Sequence, residues 1–157
     1  MECGGGTFIL LAWQGKNSVA EGGTREAVAE LYASYARRDF EKVAAAIHPD
    51  IDWIIFSPVS VFPFAGPRRG RAAVLQAMAG IAEAFVLESY NREIIIVEGD
   101  RASVMSDIAY RQRSTNRLLR FRVANFLRFQ DGQLIEFREF ANSFDVVEQA
   151  LGRELKI

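Results

Sequence analysis

From Thr24 onward, the apolar residues Val28, Leu31, Tyr32 and Tyr35 recur at three- and four-residue steps, the mark of one buried helical stripe. Thr24 is expected to cap that helix, which runs to about Arg38 with Glu26 in its first turn. Asp39 opens a short second helix over residues 40–47. Pro49 stops it, because the residue before a proline avoids the helical region. A strand over residues 51–57 follows, then a proline- and aromatic-rich loop over residues 58–67. Gly70 opens a third helix over residues 71–85, with Val74, Leu75, Met78 and Ile81 on its buried side.

Beyond Leu87 the period changes from helical to alternating. Strands are predicted over residues 94–98, 102–111, 118–129 and 133–141, with turns at Gly99-Asp100 and Gln130-Asp131-Gly132. Asp145 with Glu148 three residues later reads as the capping box of a final helix, closed by Gly152. Helices first and strands after argue for an α+β domain rather than a βαβ repeat. The expected architecture is a cone: a strongly curved antiparallel sheet, with the N-terminal helices, enclosing one small apolar pocket.

The last hairpin carries the sharpest chemical signal. A three-residue turn with Gly132 in the left-handed position would place Asn125 opposite Phe137 and Val123 opposite Glu139. Side chains alternate, so one face then holds Phe121, Val123, Asn125, Leu127, Phe129, Ile135, Phe137 and Glu139. The other holds Arg120, Arg122, Arg128, Glu136 and Arg138, with Phe126 and Phe140 among them. The odd-numbered face is the buried one. In its central stretch only Asn125 and Glu139 are polar. An unpaired carboxylate in an apolar wall costs several kcal/mol, roughly, unless it is paired, protonated or wetted. Desolvation raises its pKa, as a general acid or base working near neutrality requires. The plainer reading is structural: Glu139 meets an arginine and Asn125 satisfies a backbone group. Phe126 and Phe140 on the outer face call for a covering partner, and a twofold dimer through that face would supply one.

Composition narrows the chemistry. Half of the 157 residues are apolar, a quarter are charged, and the net charge is −1, so nucleic acid is a poor partner. Cys3 and His48 are the only cysteine and histidine, which removes cysteine–histidine metal sites and leaves carboxylates, tyrosines and amides for acid–base work. No metal and no cofactor are expected. Residues 1–23 read as an extension before a domain over residues 24–157. The apolar run from Thr7 to Trp13 is too short to span a membrane and lacks a basic flank, so a cytoplasmic protein with no membrane partner is expected.

Four stretches together resemble the nuclear-transport-factor-2-like superfamily, nearest its SnoaL-like and ketosteroid-isomerase-like branch. They are Leu31-Tyr32-Ala33-Ser34-Tyr35-Ala36-Arg37-Arg38-Asp39, His48-Pro49-Asp50-Ile51-Asp52-Trp53, the segment from Pro63 to Arg71, and the closing hairpin from Arg128 to Phe140. The resemblance implies a cone with an inner pocket and a dimer through the outer face of the sheet. It places Asn125 where ketosteroid isomerases carry a protonated aspartic acid, whereas their base falls near Ile55 and their oxyanion-hole tyrosine near Leu31, one position before Tyr32. Against limonene-epoxide-hydrolase-like members, Asp107 and Glu139 fall on the two catalytic carboxylates. The bridging arginine of that pair falls at Met105, and the water-holding tyrosine and asparagine fall at Trp53 and Ile55. Asn142 stands where many relatives carry aspartate.

Glu139 and Asp107 are therefore the candidate catalytic residues. Asn125, Tyr32, Trp53, Ile55, Phe64, Val123 and Phe137 are the candidate ligand-binding residues. For Asp107 the alternation Val104, Ile108, Tyr110 points outward while the resemblance points inward, and both stay open. Two functions fit. One is an acid–base enzyme (isomerase, cyclase, dehydratase or hydrolase) acting on a compact apolar molecule with a carbonyl or hydroxyl. The other is a non-catalytic ligand-binding or dimerisation module.

Overall fold

In the computed structural model, which describes residues 7–156 with side chains from residue 22 onward, the chain begins with a 30-residue helix, α1 (Thr7–Ala36). Thr24 is thus not a cap but a buried residue in mid-helix, and its hydroxyl donates to the carbonyl of Gly99 at 2.8 Å. The helix runs through Gly22 and Gly23, although each glycine costs about 1 kcal/mol relative to alanine. Residues 1–6, Cys3 among them, lie outside the described residues, and over residues 7–23 the expected extension has the backbone of α1.

A short helix α2 (Phe40–Ala46) follows, capped by the Asp39 side chain. The chain then enters β1 (Ile47–Phe56) directly, so Pro49 lies inside a strand rather than in a linker. Part of the expected loop forms β2 (Gly66–Arg69), which pairs antiparallel with β1. Helix α3 (Arg71–Ala84) leads without a break into β3 (Phe85–Glu98), nine residues longer at its start than the alternation predicts. β4 (Arg101–Gln112), β5 (Leu118–Gln130) and β6 (Gln133–Ala141) complete the sheet. Helix α4 (Ser143–Leu151) ends at Gly152, whose φ of 66° gives the left-handed C-cap. Its N-cap is Asn142, whose carbonyl oxygen accepts from the Asp145 amide, so the expected cap at Asp145 moves three residues upstream.

The six strands lie in the order β2-β1-β6-β5-β4-β3. The sheet is antiparallel throughout except at β1–β6, which run parallel, so the expected antiparallel sheet is in fact mixed. A parallel neighbour needs a long crossover, and α3 with the β3–β4–β5 meander supplies it. Register shifts interrupt β1–β6, β3–β4 and β5–β6. Bulges of this kind bend strands and sharpen their twist, which curls the sheet around the helices.

The closing hairpin turns on two residues, not three. Gln130 pairs with Gln133, and Asp131 and Gly132 both have positive φ (52° and 77°), as a type I′ turn requires. That turn alone would pair odd with even residues, and it does so at Phe129 and Leu134. A bulge between there and the Arg128–Glu136 pair then restores odd with odd. The register therefore differs from the expected one by two residues; the inward face is as expected from Phe137 onward, whereas next to the turn Leu134, not the expected Ile135, is the buried residue. Asn125 pairs with Glu139, Leu127 with Phe137, and Val123 with Ala141.

The outer face carries ion pairs, Arg138 with Asp52 at 2.6 Å and Arg128 with Glu136 at 3.1 Å, around an exposed aromatic group. Phe56 and Phe140 stack at 4.4 Å, and Phe126 meets Phe140 edge-on; the three are 44%, 43% and 51% exposed.

Candidate functional site

The sheet's concave face meets α1, α3 and α4 around a cavity of about 120 Å³. Its walls follow from alternation on each element. β1 sends in Trp53 and Ile55, β6 sends in Phe137, Glu139 and Ala141, and α1 contributes Leu31, Tyr32 and Tyr35. β3 and β4 add Tyr90, Ile108 and Tyr110, while Phe62 and Phe64 close it from the loop after β1. All four tyrosines of the chain line the cavity. No lysine, arginine or histidine lies among the described lining residues.

Glu139 stands at one end of a three-residue polar chain. The Tyr32 hydroxyl donates to Asn125 Oδ1 at 2.8 Å, and Asn125 Nδ2 donates to Glu139 Oε2 at 3.0 Å. Asn125 is 1% exposed and lies beneath the wall rather than on it, so the amide is a support that orients both neighbours. Glu139 is partly buried and lines the cavity. No arginine reaches it. The nearest candidate on the same strand, Arg138, points to the other face and bonds Asp52.

Burial therefore dominates the titration of Glu139. Loss of hydration pushes its pKa above the ordinary 4.5, and the Asn125 hydrogen bond offsets part of that rise. The tyrosines respond in the same sense. Burial raises the pKa of Tyr32, Tyr35, Tyr90 and Tyr110, and the charge that Glu139 would carry raises each further. The wall thus resists negative charge at every titratable position. Tyr35 and Tyr110 share a hydroxyl–hydroxyl bond of 2.8 Å, which gives the cavity a second polar point. Tyr90 bridges the two aromatic groups, 5.7 Å from Tyr32 and 5.8 Å from Tyr35 between ring centres.

Trp53 lies flat on Phe137, with ring centres 3.6 Å apart and planes 8° from parallel. The two residues are direct partners across β1 and β6, and Ile55 and Glu139 are the next inward pair. The indole Nε1–H of Trp53 is buried without an acceptor. An orphaned buried donor costs about 1–3 kcal/mol. Ser106 Oγ is likewise buried without a hydrogen bond of good geometry, although Tyr90 approaches it.

Of the residues expected from the sequence, Tyr32, Trp53, Ile55, Phe64, Phe137 and Glu139 all line the cavity. Asn125 and Val123 are fully buried on the same face but do not line it. Asp107 is a correction. β4 turns Val104, Ser106 and Ile108 inward, so Asp107 stands on the outer face opposite Arg122. The outward alternation of its neighbours decided its direction, and among the described lining residues no second carboxylate joins Glu139. The sequence reading missed Tyr90, and it took Tyr35 and Tyr110 only as apolar core. Their signal was the i, i+3 spacing after Tyr32 and the even parity of β4, which aim both hydroxyls at one space. No group of histidine, cysteine, aspartate and glutamate among the described residues could hold a metal ion. No described helix is long and apolar enough to cross a membrane.

The family model of the SnoaL-like domain matches residues 28–137. A proposed isomerase from Rhodopseudomonas palustris is 38% identical, with a TM-score of 0.73 over 80% of this chain and 93% of that one. An NTF2-like protein of unknown function from Burkholderia pseudomallei is 19% identical, with a TM-score of 0.75 over 82% of this chain and 97% of that one. An LEH-like epoxide hydrolase from M. tuberculosis is 16% identical, with a TM-score of 0.67 over 84% and 92%. Likeness at the last two levels concerns the fold alone. Among curated proteins, none matches this chain. The match runs from within α1 into β6, ending before Glu139 and α4, and the chain belongs to the SnoaL-like domain family, with the NTF2-like α+β fold.

Proposed function

We propose that this protein is a cofactor-independent acid–base enzyme whose cavity holds a compact apolar molecule with a carbonyl or hydroxyl, and that Glu139 moves the proton. One observation carries the reading: a carboxyl on the wall of an apolar cavity has an amide for its partner and, among the described residues, no cation. A purely structural carboxylate would sit with an arginine, as Asp52 does with Arg138. Here burial shifts the titration of Glu139 toward neutrality, where one group can both accept and return a proton. Proton transfer of this kind contributes roughly 10²–10⁴-fold to a rate. The 38% identity to a proposed isomerase supports isomerisation among the acid–base reactions.

A second reading has its own support. The cavity volume of about 120 Å³ lies below the roughly 300–1,000 Å³ of ordinary ligand pockets, which favours the dimerisation form of the non-catalytic alternative (a ligand-binding or dimerisation module). The exposed cluster of Phe56, Phe126 and Phe140 supports a homodimer through the outer sheet face under either reading.

Deuterium exchange separates the two without knowledge of the natural substrate. Small ring ketones and enones in D₂O, followed by proton NMR, should lose their exchangeable C–H signals faster with the wild-type protein than with Glu139→Gln. Equal rates with both proteins would remove Glu139 from any catalytic role.

A further inference from the structure

Each polar group on the cavity wall can be checked for a partner. The Tyr32 hydroxyl gives its proton to Asn125 Oδ1, and Asn125 Nδ2 donates to Glu139 Oε2. Tyr35 and Tyr110 share one bond, which uses one of their two protons. Ser57, just past the end of β1, adds a hydroxyl at the rim. Tyr90 completes the wall, and among the described residues its hydroxyl has no hydrogen bond of good geometry. The fully buried side-chain atoms without a partner are Trp53 Nε1 and Ser106 Oγ, so the Tyr90 oxygen is not sealed off and keeps accessible surface.

The fold supports that hydroxyl from behind. Tyr90 pairs with Ile108, and Arg92 pairs with Ser106, so Tyr90 and Ser106 are diagonal neighbours on the inner face of β3 and β4. The Tyr90 ring packs 5.7 Å from Tyr32 and, edge-on, 5.8 Å from Tyr35, which fixes where its hydroxyl lies. Ser106 Oγ is buried beneath and approaches it. A Ser106 proton turned toward Tyr90 would end that buried vacancy and leave the Tyr90 proton free for the cavity. Linked hydroxyls polarise one another, so the outer donor is strengthened.

The wall therefore has protons to spare, on Tyr90, Ser57 and one of the Tyr35–Tyr110 pair, against one strong acceptor, the second oxygen of Glu139. A ligand oxygen that accepts a hydrogen bond matches such a wall. With no cation among the described lining residues, an anion would find no counter-charge there. The walls are aromatic, and the volume of about 120 Å³ approaches that of the roughly 150 Å³ apolar cavity that takes up benzene.

We propose that the Tyr90 hydroxyl, backed by Ser106, is the donor that reads the ligand in this cavity, and that it selects an uncharged, single-ring-sized compound by donating to that compound's carbonyl oxygen. This inference rests on reading the cavity as a ligand site. Tyr90 determines specificity, Ser106 is a positioning residue, and proton transfer stays with Glu139.

The test uses 2-cyclohexenone, with cyclohexene as a ring of similar size that has no oxygen, and benzoate as an anionic ring. Binding is measured by NMR titration of the full chain, with and without Tyr90→Phe, which keeps the ring against Tyr32 and Tyr35. The wild type should bind cyclohexenone more tightly than cyclohexene and should exclude benzoate. Tyr90→Phe should weaken cyclohexenone by about 5-fold, the worth of one ordinary hydrogen bond, and leave cyclohexene unchanged. The infrared carbonyl stretch of bound cyclohexenone should lie at lower frequency in the wild type than in Tyr90→Phe, with Ser106→Ala between the two. Should Tyr90→Phe fail to fold, 4-fluorophenylalanine at position 90 keeps the shape and has no proton to donate. Equal losses for both rings, no loss for cyclohexenone, or benzoate binding as tight as cyclohexenone would overturn the Tyr90 assignment while the ligand site stands. A Ser106→Ala stretch identical to the wild type would overturn the part given to Ser106. If neither ring binds the wild type, the ligand-site reading falls and takes this inference with it.

Discussion

Asn125 on β5 and Glu139 on β6 are direct cross-strand partners, joined amide to carboxyl at 3.0 Å. Tyr32, reaching over from α1, completes the chain through the other end of the same amide. One side chain thus ties the first helix to the last strand through two hydrogen bonds. Removing it should cost more than either bond alone. Asn125→Leu, similar in shape but unable to bond, leaves the Tyr32 hydroxyl and the Glu139 carboxyl without their partner and should destabilise the fold by about 2–4 kcal/mol. Urea unfolding measures this. The same substitution should move the Glu139 pKa further up, because the Asn125 bond opposes the effect of burial.

Stability should fall as pH rises through the Glu139 titration. The folded-state pKa lies above the ordinary 4.5, so below that value both states are protonated and the contribution is complete. Above it the unfolded chain releases its proton while the folded chain retains it, and folding is progressively disfavoured until the folded pKa is passed. Tyr32, Tyr35, Tyr90 and Tyr110 face the same space, but burial raises them too and keeps them protonated across that window. Chemical denaturation at a series of pH values should show this slope in the wild type and a flatter curve in Glu139→Gln.

The bulge in β6 absorbs one residue, Ile135, between the Phe129–Leu134 and Arg128–Glu136 pairs. Deleting Ile135 would leave Leu127 opposite Phe137 and Asn125 opposite Glu139, so both stay inward, but would remove the local bend that the bulge gives the strand. The deletion should leave a folded protein destabilised by about 1–3 kcal/mol, whereas Ile135→Val, which retains the extra residue, should change stability by about 1 kcal/mol or less. Circular dichroism melts of the two variants decide the point.

The exposed trio Phe56, Phe126 and Phe140 should be covered by a second copy in solution. Sedimentation velocity should show a dimer for the wild type and a shift to monomer for the Phe126→Glu, Phe140→Glu double variant. A wild-type monomer at micromolar concentration would contradict the dimer.

How much of this could be read without coordinates depended on which physics was local. The odd-numbered face of β5 and β6 was legible because a two-residue period survives an error of two in register. That error came from turn chemistry: Asp131 takes positive φ beside Gly132, and a bulge one turn later compensates. Direct pairing of Asn125 with Glu139 was therefore out of reach. Asp107 was legible from Val104, Ile108 and Tyr110, and only likeness to relatives pulled it inward. The start of α1 was misjudged because Gly22 and Gly23 look like breakers, and a tertiary bond from Thr24 to Gly99 is invisible to local rules. The tyrosine cluster required three elements to converge, which no single periodicity reports.

The carboxyl of Glu139 can be followed directly by ¹³C NMR on protein labelled at glutamate Cδ, with Glu139→Gln used to assign its signal. The account predicts a midpoint clearly above 4.5, together with a shift in that midpoint when 2-cyclohexenone occupies the cavity. A signal titrating at or below 4.5, unmoved by the ring compound, would mean a solvated or ion-paired glutamate and would contradict it.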